Sequence, residues 1–344
     1  MSYRTPPGRI AAVREVRDAL LASRRAVLTT HLNADGDGAG CEAAVASWLR
    51  ANGTEAWIVN PTPFPESFRF LMGDEDWLVE AGSRTAQEIC ESSDLAVILD
   101  TGEVPRIGRV RSLIRDLPTV VVDHHQPGEQ PIGGISLRDP DACATGELVF
   151  DVLLAAGGPW TPGALQGIYV AILTDTGSFR FANSTPGSHR VAADLVERGV
   201  DPEEMFAAVY GAAPVRKYRL LARALTTLEA DEEAGVAWMI VPQDAIDELG
   251  ATPEDLEGMV DVPRGISGVQ VGLLFRQTTT GEVKVSFRAN GPVNVNELAR
   301  RFGGGGHLRA SGAMVPGPMA RAVESVVAAT REAVARETLR REPV

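Results

Sequence analysis

The sequence predicts an α/β protein in two parts, a parallel-sheet N-terminal domain with helices on both faces and, after a helical connector, a smaller α/β C-terminal domain. Three observations predict it. At 344 residues with 44% apolar content the chain is about twice a typical single domain and has side chains for two cores. Short β-branched runs alternate with helix-periodic stretches through the first half, the pattern of strands joined by crossover helices. From about Thr145 to Leu228 the pattern is largely helical, and strand-like runs then resume at Val236.

Taken in order, Ala26–Thr30, Ala56–Asn60, Leu95–Asp100 and Thr119–Asp123 are apolar runs ending in polar residues, as buried parallel strands do. Cys41–Ala51 has helical periodicity and is closed by Gly53. The helical stretch is punctuated at Gly157-Gly158, Pro186-Gly187 and Pro202. Val236–Val241 reads as a strand, Val269–Gln277 and Glu282–Arg288 as a hairpin turning at Thr280-Gly281, and Met319–Arg336 as a final helix before a charged, fraying tail. The expected boundaries are residues 1–189, a connector at 190–228, and residues 229–344.

Composition narrows the function. No apolar run reaches the roughly 18 residues needed to cross a bilayer, and the first thirty residues are charged and helix-like, so a soluble cytoplasmic protein is expected. The net charge of −13 argues against a duplex binder with a basic surface, although bound cations and a few arginines can still serve an anionic substrate locally. Cys41, Cys90 and Cys143 are odd in number and lack CxxC spacing, which fits buried free thiols.

The chemistry concentrates where strands end, the ligand edge of such sheets. His31-Leu32-Asn33-Ala34-Asp35-Gly36-Asp37-Gly38 puts one imidazole and two carboxylates just past a strand, with glycines that permit a tight turn. An EF-hand is excluded, because the position that needs Glu is Ala46. Asp100 closes one apolar run and Asp175 follows another; each alone reads equally as a helix cap. Asp123-His124-His125 is harder to explain structurally. The chain has five histidines; three fall at predicted strand ends beside carboxylates, His307 follows four glycines, and His189 looks like helix surface.

Together these residues resemble the DHH phosphoesterases, whose naming run is here Asp123-His124-His125. The blocks His31 to Asp37, Asp100, the triplet and Asp175 occur in the family's order, and Gly303-Gly304-Gly305-Gly306-His307 with Ala310 and Gly312 resembles the glycine-rich signature of the DHH-associated C-terminal domain. Within the family the chain is most similar to the nano-RNase and pAp phosphatase type. RecJ-type exonucleases usually lack a histidine equivalent to His31, and family II pyrophosphatases lack the glycine-rich loop. One departure is Ala34, where that type commonly carries Pro.

The resemblance implies two divalent ions, expected to be Mn²⁺, held by His31 and Asp35 on one side and Asp37, His124 and Asp175 on the other, with Asp100 bridging. Two ions roughly 3.5–4 Å apart lower the pKa of a shared water and hold the nonbridging oxygens. Adjacent strand side chains point to opposite faces, so His125 is assigned to the scissile phosphate rather than to His124's metal, and Asp123 to fixing a ligand or the loop. Arg264, Arg288, Asn290, Gly304, Gly305, Gly306 and His307 are the expected substrate contacts. Arg288 stands in a Ser-x-Arg-Ser-like segment in which Ala289 replaces the final Ser, and a surface salt bridge is the plainer reading of Arg264. The implied activity is hydrolysis of very short RNAs such as pApA to 5'-mononucleotides, and of 3'-phosphoadenosine 5'-phosphate (pAp) to AMP. A cleft between two domains would limit substrate length, and relatives suggest a homodimer. The rivals are a cyclic di-AMP phosphodiesterase, an inorganic pyrophosphatase and a catalytically silent nucleotide sensor.

Overall fold

The structure, a computed structural model, describes residues 3–211, 213–278 and 280–339. The chain divides into two compact units, Met1–Ala212 and Ala213–Val344, and the division falls inside the helical stretch 190–228. In the first unit α1 (Ile10–Ala22) leads into β1 (Arg25–Thr29), α2 (Gly36–Ala51), β2 (Glu55–Asn60), β3 (Leu78–Glu80) and α3 (Arg84–Ser92). There follow β4 (Leu95–Leu99), α4 (Val110–Ile114), β5 (Thr119–Asp123), β6 (Ile135–Arg138), α5 (Thr145–Ala156), α6 (Pro162–Asp175), α7 (Pro186–Glu197) and α8 (Pro202–Phe206).

Six parallel strands lie in the order β3-β2-β1-β4-β5-β6. The four strands expected from sequence are present to within a residue at each end, whereas the edge strands β3 and β6 are too short to stand out. Alternation sorts the side chains between two cores. Ala26, Leu28, Val97, Leu99, Val120 and Val122 pack with α1, α2, α5 and α6, while Val27, Ala96, Ile98 and Val121 pack with α3 and α4. Burial on both faces is why these strands read as continuous apolar runs. The strand order reverses between β1 and β4, which opens a crevice beyond their carboxyl ends.

Helix α2 begins at Gly36, five residues before its apolar periodicity starts. Asp35 is its N-cap and accepts from the backbone N–H of Asp37 (3.1 Å) and Gly38 (3.3 Å). The first turn lacks large side chains because none would fit: a Cβ on Gly36 would lie 2.4 Å from Thr174 Oγ1, and one on Gly38 would lie 2.6 Å from Thr30 Oγ1.

The second unit runs α9 (Val215–Leu225), β7 (Glu229–Asp231), β8 (Val236–Val241), α10 (Gln243–Leu249), α11 (Asp261–Arg264), β9 (Val271–Gln277) and β10 (Val283–Ala289). It closes with α12 (Val295–Arg300), β11 (Gly305–Gly306), β12 (Ala310–Val315) and α13 (Met319–Leu339). Its sheet has the order β11-β12-β10-β9-β8-β7 and is antiparallel except for the β8–β9 pair. α12 and α13 cover Leu273, Phe275, Val285 and Phe287 on one face, and α9 and α10 cover Met239, Val241 and Leu274 on the other. The expected β9–β10 hairpin is present, with Thr278 N donating to Glu282 O (2.8 Å). The final helix reaches Leu339, and the end of the charged tail, 340–344, lies outside the described residues. Cys41, Cys90 and Cys143 are buried free thiols, and no described helix is long and apolar enough to cross a membrane.

Candidate metal centre

Strand register builds one side of the site. Thr29 lies beside Ile98 and Leu99 beside Val122, so two residues beyond β1 His31 comes level with Asp100, and Asp100 with Asp123. Thr30 Oγ1 donates to Leu99 O (2.8 Å) and ties the two strand ends together. Asp100 turns its backbone into the left-handed region (φ 59°), which Asp tolerates better than most residues. His31 Nε2 then lies 3.1 Å from Asp100 Oδ2 and 3.8 Å from Asp35 Oδ1.

The other side comes from helices. Asp37 lies in the first turn of α2, and Asp175 is the last residue of α6. His124 Nε2, one residue past β5, lies 3.7 Å from Asp37 Oδ2, 3.7 Å from Asp175 Oδ2 and 3.8 Å from Asp100 Oδ1. The donor atoms of His31, Asp35 and Asp100 lie within 4.8 Å of one another, and so do those of Asp37, His124 and Asp175. Asp100 belongs to both neighbourhoods, with Oδ2 toward His31 and Oδ1 toward His124.

The strand-alternation argument for separating His124 from His125 does not hold. β5 ends at Asp123 and the backbone bends, so the two rings lie edge to face at 4.9 Å, and His125 Nδ1 comes within 3.6 Å of Asp100 Oδ1. What distinguishes His125 is Asp123, whose Oδ1 accepts from both its Nδ1 (2.8 Å) and its backbone N–H (3.1 Å).

Sequence reasoning missed the residues that hold the candidate ligands. Asp37 accepts from the backbone N–H of Thr145 (2.7 Å) and Gly146 (2.9 Å), and Thr145 Oγ1 donates to Asp100 Oδ1 (2.8 Å). His124 Nδ1 meets Ala142 O (3.3 Å), the backbone partner that orients an imidazole ligand. Asn183 Nδ2 donates to Cys143 O (2.8 Å) and Asp175 Oδ2 (3.2 Å). Nothing local marks this segment; Thr145 reads only as a helix start.

The electrostatics call for cations. Burial pushes Asp37 well above the usual carboxylate range, and Asp100, Asp175 and Asp35 add to it; burial likewise raises Asp175 to about 7, with His124 opposing and Asp35 and Asp100 assisting. Burial disfavours a charged His31, but its bonds to Asp100 and Asp35 prevail and lift it to about 10. Asp100 is held well below its ordinary value despite burial, chiefly by His31 and then by His125 and His124. Four closely spaced carboxylates thus share the protons of the neighbouring imidazoles, and the nitrogen and oxygen donors suit divalent ions. The residues fit a two-metal centre.

In the second unit the expected substrate contacts fall into one corner. Arg288 pairs with Gly272, where a Cβ would lie 2.5 Å from Arg264 N. Arg264 pairs with Asp261 (3.0 Å). The Asn290 amide donates to Arg264 O (2.6 Å) and Val269 O (3.2 Å), which makes it a brace for that turn. The glycine run is not an open loop: Gly305 and Gly306 pair with Gly312 and Ser311, and His307 N donates to Ala310 O (2.7 Å) to close the hairpin. Gly304 is required by packing, since its Cβ would lie 2.1 Å from Gly312 O.

Comparison with known proteins bears on the family and the fold. Residues 25–172 match the DHH family N-terminal domain and residues 234–336 the DHHA1 domain. The chain is 33% identical over 312 residues to the bifunctional oligoribonuclease and PAP phosphatase NrnA of Thermus thermophilus, covering 90% of each chain. It is 28% identical over 294 residues to the Bacillus subtilis protein of the same name, covering 84% of this chain and 88% of that one. A solved structure, an exopolyphosphatase-related protein from Bacteroides fragilis, shares the fold with a TM-score of 0.85 at 23% identity, over 95% of this chain and 96% of that one.

Proposed function

The chain belongs to the DHH family of phosphoesterases, and from that membership we propose that it is a Mn²⁺-dependent hydrolase releasing 5'-mononucleotides from very short oligoribonucleotides and AMP from pAp. The observation that carries the reading is the division of Asp100 between two donor sets, Oδ2 toward His31 and Oδ1 toward His124. Relatives of like length that are named for both activities support the substrate class.

When bound, two divalent cations would supply Lewis-acid activation of a water and charge compensation at the phosphoryl oxygens. His31 and Asp35 would hold one, Asp37, His124 and Asp175 the other, and Asp100 both. With Nδ1–H of His125 bonded to Asp123, the ring in its imidazolium form presents Nε2–H to a nonbridging oxygen of the scissile phosphate. Asp123 fixes that ring rather than moving a proton. The Arg264 and Arg288 corner and the hairpin at His307 would bind a phosphate remote from the cleaved bond.

The test strips the protein with EDTA, restores Mn²⁺, and compares labelled RNAs of two to twenty-four nucleotides with pAp, cyclic di-AMP and pyrophosphate. Dinucleotides and pAp should be hydrolysed fastest. A twenty-four-nucleotide RNA cut as fast as a dinucleotide overturns the short-substrate proposal, and faster turnover of cyclic di-AMP selects the cyclic dinucleotide instead.

A further inference from the structure

Arg9 ends a short 3-10 turn, Pro7–Arg9, ahead of residue 25, where the family match begins. It is 6% exposed and its guanidinium holds three carboxylates: Nε on Asp139 Oδ2 (2.5 Å), and Nη1 on Glu147 Oε1 (2.7 Å) and Asp151 Oδ2 (3.1 Å). Asp139 and Glu147 bracket the segment that holds the metal ligands. Glu147 Oε2 accepts from Cys143 N (3.0 Å), and Asp139 O accepts from Ala142 N (3.1 Å). Between those two anchors lie the Ala142 carbonyl against His124, the Cys143 carbonyl that engages Asn183, and the Thr145 and Gly146 groups that hold Asp37 and Asp100.

We propose that Arg9 is a positioning residue for the metal centre: its guanidinium clamps Asp139 and Glu147 at a fixed separation and thereby sets the segment 142–146 against Asp37, Asp100 and His124. The inference rests on the two-metal reading. The clamp requires arginine, because a planar fork reaches two carboxylates along different N–H directions whereas an ammonium is a point charge. Burial of Arg9, Glu147 and Asp151 keeps the geometry stiff, since either of those carboxylates is left out of water and uncompensated if it lets go, while Asp139 holds the guanidinium from the partly exposed side.

The full-length, metal-stripped protein is titrated with Mn²⁺ by calorimetry at 15 °C. Arg9→Lys keeps the positive charge but loses the fork, and Mn²⁺ should bind about tenfold more weakly, as when an outer partner of metal ligands is removed. kcat on pAp should fall with KM within about twofold. Asp151→Asn removes the one carboxylate of the three that does not flank the segment, lying one turn further along α5 than Glu147; it should lower the melting temperature and leave Mn²⁺ affinity within about twofold. Arg9→Lys binding Mn²⁺ like the wild type, or Asp151→Asn weakening it equally, overturns the proposal and marks the cluster as general support for the fold. Should Arg9→Lys not fold, Glu147→Gln decides in the same way, because one amide carbonyl cannot replace two carboxylate oxygens that accept from Arg9 and Cys143 separately. A wild-type protein that binds no Mn²⁺ refutes the two-metal reading instead.

Discussion

Gly40→Ala should force apart the two helices that carry Asp37 and Asp175. A Cβ on Gly40 would lie 2.4 Å from Gly167 O, 3.0 Å from Ala171 N and 3.2 Å from Ala171 Cβ, and one on Gly167 would lie 2.4 Å from Gly40 O. The obstacle is a helix carbonyl, which cannot rotate aside as a side chain can. Restoring ordinary contact at 3.4 Å requires α2 and α6 to separate by about 1 Å. Overpacking of this kind costs about 1–3 kcal/mol, offset by at most about 1 kcal/mol of helix propensity gained on replacing glycine. A net loss of about 1–2 kcal/mol should lower the melting temperature by roughly 2–8 °C in a chain of this size. The effect on turnover should be larger. Asp37 sits one turn before Gly40 and Asp175 two turns after Gly167, so both carboxylates move with their helices, and misplacement by about 1 Å can reduce a rate about a hundredfold. Differential scanning fluorimetry and kcat/KM on pAp measure the two effects, with Gly8→Ala as control because a Cβ there meets nothing within 4 Å. A Gly40→Ala protein with wild-type melting temperature and activity would refute the claim that this helix contact fixes the ligands.

Three further outcomes are expected. Asp100→Asn keeps the left-handed backbone but removes the charge shared by both donor sets; kcat should fall by roughly three orders of magnitude, about 4 kcal/mol of barrier, and the metal-stripped protein should melt earlier than wild type because His31 loses its carboxylate partner. Retained turnover at saturating Mn²⁺ would show that Asp100 does not bridge. Thr145→Val preserves the backbone N–H on Asp37 and deletes only the hydroxyl on Asp100, so calorimetry should find Mn²⁺ bound about ten- to a hundredfold more weakly, and unchanged affinity counts against that bond. In the second unit burial opposes the charge of Asp255, but Thr252 N–H and Arg216 outweigh it and hold the carboxyl below its ordinary value. A depressed folded pKa stabilises above the unfolded value, near 3.9, and that stability is lost as pH falls through the folded value. Urea unfolding should therefore separate wild type from Asp255→Asn at pH 7, with the gap shrinking as pH falls below about 3.9, and a gap that does not shrink in acid would exclude the carboxylate as its source.

The parallel sheet was legible because strands buried on both faces read as plain apolar runs, and the candidate ligand positions because all but Asp175, which ends the helix α6, close such a run or follow it shortly. The edge strands β3, β6, β7 and β11 were not, since two to four residues carry too little periodicity, and neither was β12, whose Ala310-Ser311-Gly312 start lacks the apolar content of a strand. The packing of the glycine run was hidden for a related reason: only the neighbouring strand shows that Gly304 has no room for a side chain.

By itself the sequence determined which side chains could carry the chemistry, because imidazoles and carboxylates at strand ends are visible one residue at a time. Tertiary structure decided how they are held. Register places His31 level with Asp100, the close α2–α6 contact brings Asp37 to Asp175, and the backbone of 142–146, anchored from Arg9, supplies the donors that orient them. Backbone N–H and C=O groups are identical in every residue, so a site built from them leaves no mark on the sequence until the chain folds around it.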